Sequence, residues 1–205
     1  MKKKQPKKYQ KELVLEEIPL FLTSCFTVLV NQFDNKDLAK RIVELSKKDP
    51  GRHHSNRGGW QSDDVIKSKL DNKIPDLGRL LEFSEHLVKP IFDRNDLLYR
   101  GKPSAWINVN NYRDFNLSHD HPFTALSLVY FISCPRDSGC LVFERPDSLE
   151  RFAVLRDEAL TPNSFTHFKI QPVEGMFVVF PGYLRHEVEF NRSHEPRISF
   201  TMNFS

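Results

Sequence analysis

The chain has 205 residues, of which 39% are hydrophobic, 12% aromatic and 28% charged, a balance that excludes disordered and fibrous classes and fits a single globular domain whose core needs no structural metal. Cys25, Cys134 and Cys140 form no CxxC pair, which excludes a zinc finger and a secreted disulfide scaffold and suits a reducing, cytoplasmic setting. The net charge of +3 is concentrated in six lysines among residues 1–11; residues 1–17 read as a solvated basic arm and give no basis for nucleic-acid binding.

The apolar run at 18–30 follows this arm as a signal peptide would, but Glu16 and Glu17 abut it and no small-residue cleavage site follows. Thirteen residues also fall short of the ~20 that span a bilayer, so the run is expected to be a buried strand and no membrane partner is expected. Residues 34–49 place Leu38, Ile42, Val43 and Leu45 at helical spacing, with Asp34 or Asn35 as cap. The polar, glycine-paired stretch 52–64 predicts a long loop. A second helix is predicted over 74–92, with Pro75 in its first turn and Leu77, Leu80, Leu81, Leu87, Val88 and Ile91 as its apolar stripe.

From Ser104 the pattern becomes β-rich: SAWINVNNY, TALSLVYFIS, CLVFE, FTHFKIQP, GMFVVFPG, HEVEF and RISFTMNFS, separated by turn residues. So many short strands predict a mainly β sandwich, jelly roll or barrel, with the two preceding helices packed on an outer face.

His119 and His121 stand two apart in NLSHDHP, and in an extended segment such residues share a face while Asp120 points away. His186 arrives 65 residues later from another strand. Three imidazoles on one face are a ligand set for a first-row metal that leaves coordination positions open. Arg197 and Ser199 also share a strand face; an inward arginine requires an anionic partner, and its forked guanidinium fits a carboxylate.

WINVN at 106–110, HDHP at 119–122, LVYF at 128–131, SGCLVFERP at 138–146, FPGYLRHEVEFN at 180–191 and GGWQS at 58–62 together resemble a family of iron(II)- and 2-oxoglutarate-dependent oxygenases common in marine bacteria and their phages. The resemblance spans residues 18–205 and implies a double-stranded β-helix. It also implies His119, His121 and His186 on Fe(II), Arg197 and Ser199 on the distal carboxylate of 2-oxoglutarate, and O2 as the second cosubstrate. The wider superfamily has a carboxylate where His121 stands, which keeps Asp120 open as an alternative ligand.

Asn108, Asn110 and Tyr130 are expected to contact the cosubstrate or support the metal ligands, with a polar edge face or a packing role as the plain alternatives. Trp60 and Gln61 are candidates for a lid or substrate contact, Trp60 equally for a packing anchor. The implied activity is hydroxylation of a C–H bond in a small-molecule or peptide substrate. Two rival readings stand beside it: a three-histidine enzyme of cupin type that does not use 2-oxoglutarate, and a metal-free binding module on the same fold.

Overall fold

The computed structural model describes residues 22–147 and 166–205; the basic arm and residues 18–21 of the apolar run lie outside them. Two helices precede most of the strands. Helix α1 (Asn35–Ser46) begins where the Asp34 carboxylate accepts the Asp37 N–H at 3.1 Å, supplying the acceptor that an exposed first turn lacks. Helix α2 (Pro75–Arg94) starts with proline at its first turn, where no amide hydrogen is needed.

Among the described residues, eleven strands form two antiparallel sheets. The major sheet has the order β1 (Phe26–Leu29), β9 (Met176–Pro181), β6 (Leu126–Ser133), β11 (Arg197–Phe204), β4 (Ser104–Asn110) and β3 (Trp60–Gln61). The minor sheet runs β2 (Asn56–Arg57), β5 (Phe115–His119), β10 (His186–Val188), β7 (Leu141–Glu144) and β8 (His167–Ile170). The architecture is a double-stranded β-helix, or jelly roll, with both helices on the outer face of the major sheet.

Strand β6 is apolar at nearly every position because both of its faces are covered. Leu128, Tyr130 and Ile132 face the helices beside Leu38, Ile42, Leu77 and Leu80. Val129 and Phe131 face the minor sheet beside Leu141, Phe143, Val178 and Phe180. Each fully buried large side chain here contributes roughly 1.5–3 kcal/mol.

Strand β11 alternates differently. Ile198, Phe200, Met202 and Phe204 go to the helix side, while Arg197, Ser199, Thr201 and Asn203, all buried, go between the sheets. Placing four polar side chains in an interior is favourable only where they find partners. Asn203 accepts a hydrogen bond from the Ser127 hydroxyl at 2.8 Å; Arg197, Ser199 and Thr201 line a cavity.

Three expectations need correction. Strand β1 is shorter than the apolar run and is not buried: it pairs only with β9 at the sheet edge, and Leu29 is 65% exposed. The 52–64 stretch is not wholly loop, since its residues 56–57 join the minor sheet and 60–61 the major one. Gly58 and Gly59, at φ +65° and +63°, make the step between them; a Cβ on Gly59 would meet the Val109 carbonyl at 2.7 Å. Finally, His121 is not on a strand, because β5 ends at His119.

Candidate metal centre and anion pocket

His119 and His186 are cross-strand partners of the β5–β10 ladder. In this ladder His186–Val188 spans two residues while His119–Asn116 spans three, so β5 carries a bulge that turns both Asn116 and His119 toward the interior. His121 follows on the turn after β5, where its N–H donates to the Gly182 carbonyl at 2.8 Å. One ligand atom from each imidazole lies within 4.8 Å of the other two.

The tautomers are set by the backbone. Nδ1 of His119 donates to the Leu117 carbonyl at 2.7 Å and Nδ1 of His186 to the Leu184 carbonyl at 2.9 Å, which leaves each Nε2 with a free lone pair. Nε2 of His121 is buried and without a partner. Burial first, and the neighbouring imidazoles second, push His121 down to about 4 and His186 to about 3, and burial lowers His119 as well. All three are neutral near pH 7, the form in which imidazole binds a metal.

Asp120 does not join them. Its carboxylate faces Arg185 at 3.7 Å, and Arg185 also donates to Glu144 at 3.2 Å.

The histidines share one cavity with Ser55, Trp106, Asn108, Asn110, Asn116, Arg197, Ser199 and Thr201 on the polar side, and with Val129, Phe131, Leu141 and Val188 on the apolar side. Arg197 is 1% exposed and has no acidic side chain within ion-pair distance among the described residues. Its Nη1 donates to the carbonyls of Ser138 and Glu189, while Nη2 has no partner. Burial lowers its pKa to about 10, yet it stays charged at neutral pH. A buried guanidinium with an unused donor fits an anion. Asn108 leaves Oδ1 unpaired, having given Nδ2 to Thr201 at 3.3 Å. The residues therefore fit a metal and, beside it, a carboxylate.

Tyr130 is not part of this cavity. It faces the helices and donates to Asn35 Oδ1 at 2.7 Å, so it packs the core rather than contacting a cosubstrate. Trp60 likewise lies in the helix-side core, with Nε1 on the Asp49 carbonyl at 3.1 Å; it is an anchor, not a lid. Gln61 pairs with Asn108, and cross-strand partners share a face; it lines an open groove of about 520 Å³ with His54, Ser55, Trp106 and Leu117 that abuts His119 and His121.

On the polar side of the cavity four residues carried no assigned role in the sequence: Ser55, Trp106, Asn116 and Thr201. Period-two spacing from Asn108 and Arg197 marks Trp106 and Thr201; nothing local marks Ser55, and the bulge hides Asn116.

A jelly roll with converging imidazoles and a buried, acid-free arginine defines a metal-dependent class with an anion-holding pocket. Residues 104–203, just under half of the chain, match the family described as "Putative 2OG-Fe(II) oxygenase"; iron(II) and 2-oxoglutarate are the cofactor and cosubstrate that this description names. No curated protein matches the chain by sequence.

Solved structures share the fold at low identity. A Pseudomonas putida prolyl-4-hydroxylase is 15% identical over 89% of this chain and 92% of its own, with a TM-score of 0.57. A Trichoplax adhaerens prolyl hydroxylase, solved with a hypoxia inducible factor peptide fragment, is 12% identical over 87% and 82%, with a TM-score of 0.59. HygX from Streptomyces hygroscopicus, with nickel and 2-oxoglutarate bound, is 11% identical over 89% and 83%, also with a TM-score of 0.59.

Proposed function

We propose that the protein is an iron(II)- and 2-oxoglutarate-dependent dioxygenase that hydroxylates a C–H bond, converting 2-oxoglutarate, O2 and R–H to succinate, CO2 and R–OH. The observation that carries this reading is the buried Arg197, acid-free and with an unused donor, in the same cavity as three neutral imidazoles. His119, His121 and His186 hold the metal; Arg197 and Ser199 hold the distal carboxylate, with Asn108 and Asn110 on the adjoining wall. When bound, iron(II) supplies the redox chemistry that couples oxidation of the 2-oxo acid to oxidation of the substrate.

The chain's own part is placement and exclusion. Val129, Phe131, Leu141 and Val188 keep the inner wall dry, which strengthens the charge pairing at Arg197. The Arg197 guanidinium would fix one end of the 2-oxo acid and so restrict how its other end can be presented to the three histidines. The groove beside Trp106 and Gln61 gives a substrate, a small molecule or a peptide side chain, its approach to His119 and His121.

Residues 18–205 form one catalytic domain on this reading, with 1–17 as an accessory arm. The unpaired thiols support a cytoplasmic site of action, and no described helix is long and apolar enough to cross a membrane.

A second reading rests on the ligand set itself: with Asp120 turned to Arg185, three neutral histidines leave the metal one unit more positive than a set with a carboxylate. A three-histidine enzyme that takes its substrate's own carboxylate on Arg197 would turn over without 2-oxoglutarate.

The test is O2-dependent succinate release from 2-oxoglutarate by iron-loaded protein. Succinate formed by wild type and lost in His186→Ala supports the first reading; O2 consumption on candidate substrates that is indifferent to 2-oxoglutarate supports the second.

A further inference from the structure

Asn191 is fully buried, and all three of its side-chain hydrogen-bonding positions used by the fold are spent on backbone. Its Nδ2 donates to the Asn110 carbonyl and to the Glu195 carbonyl, both at 2.9 Å, and its Oδ1 accepts the Ser193 N–H at 2.9 Å. Its own backbone accepts the Arg113 N–H at 2.7 Å and donates to the Asp114 carbonyl at 3.0 Å.

These bonds fall at one place in the fold. Arg197 and Asn110 are the terminal cross-strand pair of the β11–β4 ladder. Beyond that pair the ladder has no further rung, and the two strands are free to splay. One amide group from Asn191 spans the gap, holding Asn110 at the end of β4 and Glu195 two residues before Arg197. Both carbonyls are then satisfied by a side chain where a ladder would otherwise have to continue.

The pair it fixes is the pair that faces the anion pocket. Asn110 is 2% and Arg197 1% exposed, and both line the cavity. Arg197 depends on backbone acceptors for its aim: Nη1 reaches the carbonyls of Ser138 and Glu189, and Glu189 lies two residues before Asn191 on the same connection. Displacing that connection moves an acceptor of the guanidinium as well as the strand that carries it.

We infer that Asn191 is a positioning residue for the cosubstrate clamp: it closes the open end of the β4–β11 ladder so that Arg197 and Asn110 present a fixed site to the distal carboxylate of a five-carbon 2-oxo diacid. The inference rests on the reading of this cavity as a 2-oxoglutarate site. The histidines stand on β5, β10 and the turn after β5, whereas the Asn191 side chain bonds Asn110, Glu195 and Ser193, none of them on those elements; its ties to Arg113 and Asp114, just before β5, are backbone bonds that a side-chain substitution leaves in place. The effect is therefore expected on the diacid and not on the metal.

The experiment compares wild type, Asn191→Asp, Asn191→Ala and Arg197→Ala, each loaded anaerobically with Mn(II), by calorimetric titration. Asn191→Asp keeps the size and the acceptor and replaces the two-proton donor by an oxygen facing two carbonyls, so it serves should the alanine variant fail to fold. Three ligands are titrated: Mn(II) itself, 2-oxoglutarate, and 2-oxobutyrate, which has the 2-oxo acid end but no distal carboxylate.

The expected result is a Kd for 2-oxoglutarate raised at least about tenfold in Asn191→Asp, the size of effect that loss of one or two buried hydrogen bonds produces. The Kd values for Mn(II) and 2-oxobutyrate stay within about twofold of wild type, a split that general loosening of the fold would not give. Unchanged 2-oxoglutarate affinity in Asn191→Asp, with a loss in Arg197→Ala, overturns the inference and leaves the cosubstrate reading intact. Equal weakening of all three ligands overturns it in favour of a purely structural role. Unchanged 2-oxoglutarate affinity in Arg197→Ala overturns the reading on which it rests.

Discussion

His119 and His186 face each other across the β5–β10 ladder with ring centroids 4.4 Å apart, each ring held by its own Nδ1 on the carbonyl two residues earlier. A fixed pair of free Nε2 atoms on neighbouring strands is a ligand set assembled before any ion arrives, so little ordering cost falls on binding.

Metal binding should therefore stabilise the native state directly. A ligand at a hundred times its Kd adds about 2.7 kcal/mol, and a thermal scan with excess Mn(II) or Fe(II) should show Tm raised by several degrees in wild type. His119→Ala and His186→Ala should lose that increment while Asp120→Ala keeps it. An increment that disappears in Asp120→Ala and persists in His121→Ala would exchange the third ligand.

The same burial makes the metal-free protein acid-sensitive. His121 and His186 titrate near 4 and 3 in the fold against 6.5 when unfolded, so between those values the unfolded chain binds more protons than the native one. Stability contributed by these groups is thus complete above about pH 6.5 and falls as pH drops toward 4 and below. Tm of the metal-free protein should decline from pH 7 to pH 5, with a shallower decline in His186→Gln. A flat profile across that range in wild type would contradict the geometry of the cluster.

Tyr130 offers a test of which face of β6 serves the site. Tyr130→Phe removes the bond to Asn35 Oδ1 and leaves a buried acceptor, at a cost of about 1–3 kcal/mol, without altering 2-oxoglutarate affinity. Chemical denaturation and a 2-oxoglutarate titration of the same variant separate the two; a changed Kd would return Tyr130 to the cavity.

Much of this was legible in the sequence, and the exceptions have physical reasons. Period-two spacing places Asn108 with Asn110 and Arg197 with Ser199, because β4 and β11 alternate apolar and polar residues. In β6 the spacing is silent: LSLVYFIS is apolar on both faces, so the pattern cannot say whether Tyr130 or Phe131 faces the cavity. Trp60 and Gln61 sit on a two-residue strand, too short for any period to register. The bulge in β5 reverses parity between Asn116 and His119, which removes Asn116 from any alternation count. The apolar run around Phe26 looks buried because hydrophobicity alone does not reveal that a strand pairs on one side only.

The turn at Gly58–Gly59 links the sheets beside Ser55, a wall of the cavity. Gly59→Ala would force a side chain into φ +63° and against the Val109 carbonyl, costing about 1–3 kcal/mol. Denaturant midpoints should fall accordingly, whereas Gly101→Ala, where an added Cβ meets nothing within 4 Å, should cost less although its φ is also positive. Equal losses would mean that backbone conformation alone, and not the close approach to β4, sets the cost.

The central claim is that one cavity holds a metal on three histidines and a 2-oxo diacid on Arg197. The most direct measurement is an anaerobic titration of metal-free protein with Fe(II) and then 2-oxoglutarate, following the visible charge-transfer absorption of a 2-oxo acid bound to iron(II). Wild type should develop the band, Arg197→Ala should need at least about tenfold more 2-oxoglutarate, and His186→Ala should show none. A wild-type protein that binds Fe(II) yet gives no band at saturating 2-oxoglutarate would contradict the account.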